Sequence, residues 1–263
     1  MKLVEAVPHG FCAGVRRALG KAEEALGKGL PCYLYGEIVH NGRVNGKLRA
    51  MGAMPYTSEA VPPAVVVIRA HGIEEEERER LLSEGFTLLD ATCPVVARNM
   101  ELLRKAENPV IIGNPGHAEV LSLRSVRPEA PVIKSAGELQ GLSGRHEAVL
   151  QTTFPEGELS RIREAGKDLV FLNSVCDASV KRRQAVLGIL PSVDGLVVVG
   201  DPSSANCRAL CQLAEDSGKK AWLIKGKEEI SQELRSCGII GITSGASTPE
   251  DVFDEVKEDL RDE

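Results

Sequence analysis

Short apolar runs alternate with longer amphipathic stretches along almost the whole chain. Val65–Ile68, Val110–Ile112, Ala148–Leu150, Leu196–Val199 and Ile239–Ile242 are too short for helices and too uniformly apolar for half-exposed strands. Runs of this kind predict strands over 2–7, 31–35, 64–69, 86–89, 109–113, 131–133, 148–152, 168–172, 195–200, 220–224 and 238–243. Between them, apolar residues recurring every three or four positions predict helices over 14–27, 43–51, 74–84, 95–106, 156–165, 179–190, 204–217, 227–234 and 249–260. Such alternation implies an α/β fold of parallel sheets with helices on their faces, in which ligands bind beyond the carboxyl ends of the strands.

An internal repeat is superimposed on this pattern. Cys12 opens Cys-Ala-Gly-Val15-Arg16-Arg17, Cys93 opens Cys-Pro-Val-Val96-Ala-Arg98, and Cys176 opens Cys-Asp-Ala-Ser-Val180-Lys-Arg182. The three cysteines stand roughly 80 residues apart, a length that suits one compact α/β unit. Three similar units follow: 1–92, 93–174 and 175–263. Each cysteine comes after an apolar run and before a helical stripe, so each thiol is expected at a helix N-terminus. Unpaired N–H groups and the helix dipole there favour the thiolate, the form that binds metal. A closed zinc or electron-transfer site normally takes four protein ligands. Three thiolates on a [4Fe–4S] cluster would leave one iron open, which is an arrangement for catalysis.

Composition narrows the choice. The chain has 263 residues, a formal charge of −6, 43% apolar residues and only 3% aromatics, so its cores must be built from Val, Ile, Leu and Ala. The acidic balance argues against nucleic acid as the main partner. No apolar stretch approaches a membrane span and MKLVEAVPHG carries no signal-type apolar core, so a cytoplasmic location is expected. In a reducing compartment seven cysteines point to metal or catalytic roles rather than disulfides. Cys32, Cys207, Cys211 and Cys237 read as small core residues. The charge runs Glu74–Arg80 and Glu250–Glu263 read as solvated helix faces, the second with Val252, Phe253, Val256 and Leu260 packed inward.

Polar residues fall where strands end. Val65–Ile68 runs into Arg69-Ala70-His71-Gly72, and Val110–Ile112 into Gly113-Asn114-Pro115-Gly116-His117-Ala118-Glu119. Ala148–Leu150 runs into Gln151-Thr152-Thr153, Leu196–Val199 into Gly200-Asp201-Pro202-Ser203-Ser204-Ala205-Asn206, and Ile239–Ile242 into Thr243-Ser244-Gly245-Ala246-Ser247. His40 follows Glu37-Ile38-Val39 in the same manner. Such turns suit an anion, because backbone N–H groups and hydroxyls point at it. No GxxxxGK[ST] loop is present, so a diphosphate held by imidazoles, hydroxyls and an amide fits better than a nucleotide. Glu119, the carboxylate two residues beyond His117, is placed either to relay a proton, with Thr152 orienting the reactant, or to complement a helix N-terminus.

In this order, these motifs resemble the LytB family of 4-hydroxy-3-methylbut-2-enyl diphosphate reductases. The matching segments are Gly10–Val15, Glu37–Asn41, Ala70–Gly72, Asp90–Pro94, Gly116–Glu119, Gln151–Thr153, the Cys176 segment, Ser203–Asn206 and Gly245–Pro249, and they span nearly the whole chain. The resemblance implies three α/β domains with pseudo-threefold arrangement around one [4Fe–4S] cluster, held by Cys12, Cys93 and Cys176 with one open iron. It implies that His40, His71, His117, Ser204, Asn206 and Ser247 hold the diphosphate, and that Glu119 supplies protons with help from Thr152. The implied reaction removes the allylic hydroxyl as water and gives isopentenyl and dimethylallyl diphosphate, the last step of the methylerythritol phosphate route. The implied electron donor is a reduced ferredoxin or flavodoxin. Two positions depart from the family pattern: Ala118 replaces a proline, and Ala205 replaces a serine of a Ser-Ser-Asn triplet. Losing one hydrogen bond to a charged group costs about 1.5–3 kcal/mol. Competing readings are a paralogous reductase with another substrate, a non-catalytic iron–sulfur redox sensor, and a zinc hydrolase.

Overall fold

In the computed structural model, which describes residues 1–261, the chain builds three four-stranded parallel sheets. It begins with β1 (Lys2–Glu5) and α1 (Ala13–Leu26), then β2 (Cys32–Tyr35), α2 (Gly42–Ala50), β3 (Met54–Pro55), β4 (Val65–Ile68), α3 (Glu75–Ser83) and β5 (Thr87–Asp90). Next come α4 (Pro94–Lys105), β6 (Pro109–Ile112), α5 (Ala118–Val126), β7 (Val132–Ile133), β8 (His146–Leu150), α6 (Glu156–Ala165) and β9 (Leu169–Phe171). The remainder is α7 (Asp177–Ile189), β10 (Gly195–Val199), α8 (Ala205–Asp216), β11 (Lys220–Ile224), α9 (Gln232–Arg235), β12 (Ile239–Ser244) and α10 (Glu250–Arg261).

The three sheets have one topology. Their orders are β3-β2-β4-β5, β7-β6-β8-β9 and β11-β10-β12-β1. The third sheet is therefore completed by the first strand of the chain, with Leu3 opposite Ile240 and Val4 opposite Gly241. Strand 2–7, assigned from sequence to a unit spanning 1–92, does not pair with that unit's other strands. The repeat is circularly permuted: each cysteine begins a unit by following the edge strand (β1, β5 or β9) of the preceding sheet.

The chain forms two compact units. One comprises Met1–Arg16, Val39–Lys47 and the described residues from Asp177 on, and it holds the sheet of β11, β10, β12 and β1. The other comprises Arg17–Ile38 and Leu48–Cys176 and holds the other two sheets.

Central strands are the uniformly apolar runs. Every residue of β4, β6 and β10 is buried, as expected for parallel strands covered on both faces. In the first unit, Val197, Val199, Ile240 and Ile242 pack against Val252, Phe253, Val256 and Leu260 of α10, the inward stripe expected of the charged C-terminal stretch. The last two residues of that stretch lie outside the described residues. In the second unit, Val66, Ile68, Ile73, Leu81 and Phe86 form one core, and Val96, Met100, Leu103, Ile111, Val120, Leu123 and Val149 another.

Several elements differ from the sequence reading. Helix α5 was not expected; Ser122 and Ser125 dilute its apolar stripe, and its start depends on a histidine cap. Strand β8 begins two residues earlier than expected, at His146. The stretch 227–234 divides into a 3-10 turn over Lys227–Glu229 and α9, because Ser231 caps a new start by accepting from Leu234 N–H at 3.2 Å. Strand β3 is a two-residue edge carrying Pro55, a position where proline is tolerated. Residues 37–39 form no strand, although Ile38 and Val39 are buried.

Phe253 is fully buried and its ring stacks on His9, with centroids 3.9 Å apart. Phe253→Ala is expected to cost about 3–5 kcal/mol in denaturant unfolding, because it deletes an aromatic side chain from a close-packed core. A loss below about 1 kcal/mol would contradict this packing.

Candidate active site

The three repeated cysteines share one local geometry. Cys12 N–H donates to Ala246 C=O at 3.1 Å, Cys93 N–H to Ala70 C=O at 2.9 Å, and Cys176 N–H to Thr152 C=O at 3.1 Å. Each acceptor lies in the loop after the strand paired with the cysteine's own edge strand: β12, β4 and β8 respectively. A helix starts immediately after each cysteine, at Ala13, Pro94 and Asp177. Cys12 Sγ accepts from Val15 N–H at 3.4 Å, one of the donors that α1 leaves unpaired at its start.

All three are half-buried free thiols. Cys32 and Cys207 are buried, as read from sequence, whereas Cys211 and Cys237 are only partly buried against the cores of their unit; burial raises the thiol pKa of all four, that of Cys211 to about 12. Cys12, Cys93 and Cys176 each offer a partly exposed thiol at a helix start, the chemistry of a soft metal ligand.

Two arginines that sequence reasoning left out brace the cysteine loops. Arg17 Nη1 donates to Thr92 C=O at 2.8 Å, just before Cys93. Arg182, on α7, is buried; it donates through Nη2 to Gly10 C=O and through Nη1 to Ala178 C=O. Each arginine follows its own cysteine by about one and a half helical turns. That spacing was legible, but its carbonyl targets lie far along the chain and were not.

In the second unit the loops after β4, β6 and β8 bring His71, His117, Glu119 and Thr152 together. The His71 and His117 rings meet edge to face, with centroids 5.4 Å apart. Gly72 makes the turn after His71 possible: its φ is +79°, and an added Cβ would press on Ser122 Oγ at 3.2 Å. His117 caps α5, its Nδ1 accepting from Glu119 N–H at 3.2 Å. The neutral ring therefore carries its proton on Nε2. Gln151 ties two of these loops together, accepting from Asn114 N–H at 2.9 Å and donating to Thr153 Oγ1 at 3.0 Å.

Glu119 is fully buried. Its carboxylate accepts from Thr152 N–H at 2.9 Å and from Thr152 Oγ1–H at 2.7 Å. Burial raises its pKa to about 7, and the two Thr152 hydrogen bonds only partly oppose the rise. An acid with this pKa is poised to give up a proton near neutrality.

In the first unit the corresponding loops carry His40, Ser204, Asn206 and Ser247. Ser247 Oγ–H donates to His40 C=O at 2.9 Å, next to the Cys12–Ala246 bond. Asn45 Nδ2 donates to Val39 C=O at 2.8 Å and Asn41 C=O at 2.9 Å, fixing the turn on either side of His40. Ser204 caps α8, accepting from Cys207 N–H at 3.4 Å and keeping its own proton to donate. Asn206 Nδ2 is buried and has no hydrogen-bond partner among the described residues. Ser203 Oγ–H donates to Asp201 Oδ1 at 2.8 Å.

A parallel α/β protein of three like sheets, with its polar groups on the loops after the strands, is the class that these features define. The family described as LytB protein matches residues 3–261. A 4-hydroxy-3-methylbut-2-enyl diphosphate reductase of Treponema denticola is 34% identical, covering 95% of this chain and 96% of the relative. One of Caldanaerobacter subterraneus subsp. tengcongensis is 33% identical, covering 99% and 97%. The solved structure of the E-1-hydroxy-2-methyl-but-2-enyl-4-diphosphate reductase from Plasmodium falciparum superposes with a TM-score of 0.92 at 27% identity, over 98% of this chain and 87% of that one. The chain belongs to the LytB family.

The raised pKa of Glu119 has a consequence for stability. The folded chain holds this proton more tightly than the unfolded chain, whose carboxyl titrates near 4.5. The stabilisation is complete below about pH 4.5 and is lost as the pH rises through about 7. Glu119→Gln should remove this component from the pH dependence of denaturant unfolding. An unchanged profile would mean that folding does not shift the Glu119 pKa.

Proposed function

We propose that this chain reduces (E)-4-hydroxy-3-methylbut-2-enyl diphosphate to isopentenyl diphosphate and dimethylallyl diphosphate, with Cys12, Cys93 and Cys176 holding one [4Fe–4S] cluster. The observation that carries the reading is Glu119: a wholly buried carboxyl group, near neutrality in pKa, hydrogen-bonded to Thr152 and adjoining the anion-binding loop of His117. Family membership supplies the substrate class. When bound, the cluster supplies electrons one at a time and one iron without a protein ligand.

The chain's own residues do the rest. His40, His71, His117, Ser204, Asn206 and Ser247 hold the diphosphate; His117 Nε2–H, Ser204 Oγ–H and the unpartnered Asn206 amide are donors suited to it. Ala205 offers only its backbone N–H, at the first position of α8. Glu119 gives its proton to the allylic hydroxyl oxygen, which leaves as water, and Thr152 fixes the orientation of that carboxyl group. Two electrons and two protons are consumed, the second proton going to carbon at either end of the allylic unit. A reduced ferredoxin or flavodoxin in the cytoplasm is the proposed donor. No helix among the described residues is long and apolar enough to cross a membrane.

The direct test is anaerobic turnover of the hydroxymethylbutenyl diphosphate with a chemical reductant, with both products quantified. No conversion by cluster-loaded protein would favour a paralogous reductase or a redox sensor. Glu119→Gln should retain cluster and substrate while kcat falls by roughly 10²–10⁴-fold, the usual contribution of a positioned proton donor. Normal turnover would remove Glu119 as the acid. Ala205→Ser should leave KM unchanged or lower it by up to about tenfold, since it restores one hydroxyl; a large rise would show that this side chain does not face the anion.

A further inference from the structure

Cys207 reads from sequence as one more core cysteine, and it is fully buried with a raised thiol pKa, neither ligand nor nucleophile. Its surroundings assign it more than filling. Strands β10 and β12 are neighbours, with Val199 opposite Ser244, and each ends in a glycine: Gly200 and Gly245. A methyl carbon placed on either glycine would overlap Cys207 Sγ. The sulfur therefore sits in a notch formed by the two strand ends, and the absence of side chains there creates the notch.

This junction separates two diphosphate-binding turns. On one side, Cys207 N–H donates to Ser204 Oγ, so the thiol and the Ser204–Asn206 turn move as one piece. On the other, Gly245 N–H donates to Val199 C=O at 3.1 Å, Thr248 Oγ1–H to the same carbonyl at 2.8 Å, and Thr248 N–H to Gly245 C=O at 3.2 Å. These bonds fix the Gly245–Ser247 turn to β10. The buried, unpartnered Asn206 Nδ2 marks the point where the spacing matters, since an orphan donor gains a partner only if an anion arrives at the correct distance.

We propose that Cys207 is a positioning residue for the diphosphate, its sulfur setting the distance between the Ser204–Asn206 turn and the Gly245–Ser247 turn. The inference rests on these turns holding the diphosphate. It implies that thiol and glycine are complementary. Gly245 has no positive φ, so alanine is allowed there by the backbone. Once the sulfur is removed, the nearest remaining atoms to a methyl at Gly245 are Thr248 Oγ1 at 3.4 Å and Cys207 Cβ at 3.8 Å, ordinary contacts.

The experiment is a double-variant cycle, with Kd for inorganic diphosphate measured by calorimetry on cluster-loaded protein and KM and kcat for turnover measured beside it. Gly245→Ala should weaken diphosphate binding by about tenfold or more, because methyl and sulfur compete for one volume. Cys207→Ala should weaken it by roughly threefold to tenfold through loosened spacing. The double variant should bind within about threefold of the parent and more tightly than Cys207→Ala alone. In each single variant KM should rise by a larger factor than kcat falls. Should Gly245→Ala fail to fold, the comparison of the double variant with Cys207→Ala still decides. Equal Kd for all variants, or losses that simply multiply in the double variant, would overturn the positioning role. Failure of the parent itself to bind diphosphate would instead remove the reading of these turns, and the inference with it.

Discussion

One hydrogen bond, made three times, organises the reactive part of this protein. The backbone N–H of each repeated cysteine donates to a carbonyl in the loop beyond the next strand of the preceding sheet: Cys12 to Ala246, Cys93 to Ala70 and Cys176 to Thr152. The bond joins two things that must keep register. One is a thiol at the start of a helix, beside N–H groups that the helix leaves unpaired. The other is a loop that carries a residue proposed to meet the substrate: Ser247 beside Ala246, His71 beside Ala70, and Thr152 itself. A shift of one loop would move thiol and polar group together, so their relative placement is protected.

Burial then divides the remaining work. Desolvation raises the thiol pKa of Cys32, Cys207, Cys211 and Cys237, and the same effect raises that of Glu119 to about 7. Thr152 limits the rise at Glu119 with two hydrogen bonds and shares its segment with the latch to Cys176. Glu119 and the Cys176 loop are thus coupled through a single residue. Within the other unit Ser247 plays a similar connecting part, joining the His40 turn to the loop that latches Cys12.

Much of this was legible in the sequence because strands buried on both faces are written as uninterrupted apolar runs, as in Val65–Ile68 and Leu196–Val199. The polar turns after them were legible for the same reason: chemistry collects where such runs stop. The pairing of β1 with β12 was not legible, since a strand's partner is set by long-range closure and leaves no local mark on Lys2–Glu5. Helix α5 was missed because its start depends on an imidazole cap at His117 rather than on Ser, Thr, Asp or Asn. Arg17 and Arg182 looked like ordinary helix charges, and only their distant carbonyl partners distinguish them. The role of Cys207 was hidden because it depends on two glycines in different strands' ends.

The account stands on Cys12, Cys93 and Cys176 acting as one ligand set. Iron and acid-labile sulfide per chain, measured after anaerobic reconstitution, test this most directly when the parent is compared with three single Cys→Ala variants. The parent should hold about four of each, and every one of the three variants should lose most of both. A colourless parent containing zinc, or a variant at any of the three positions that keeps the full iron and sulfide content, would contradict it.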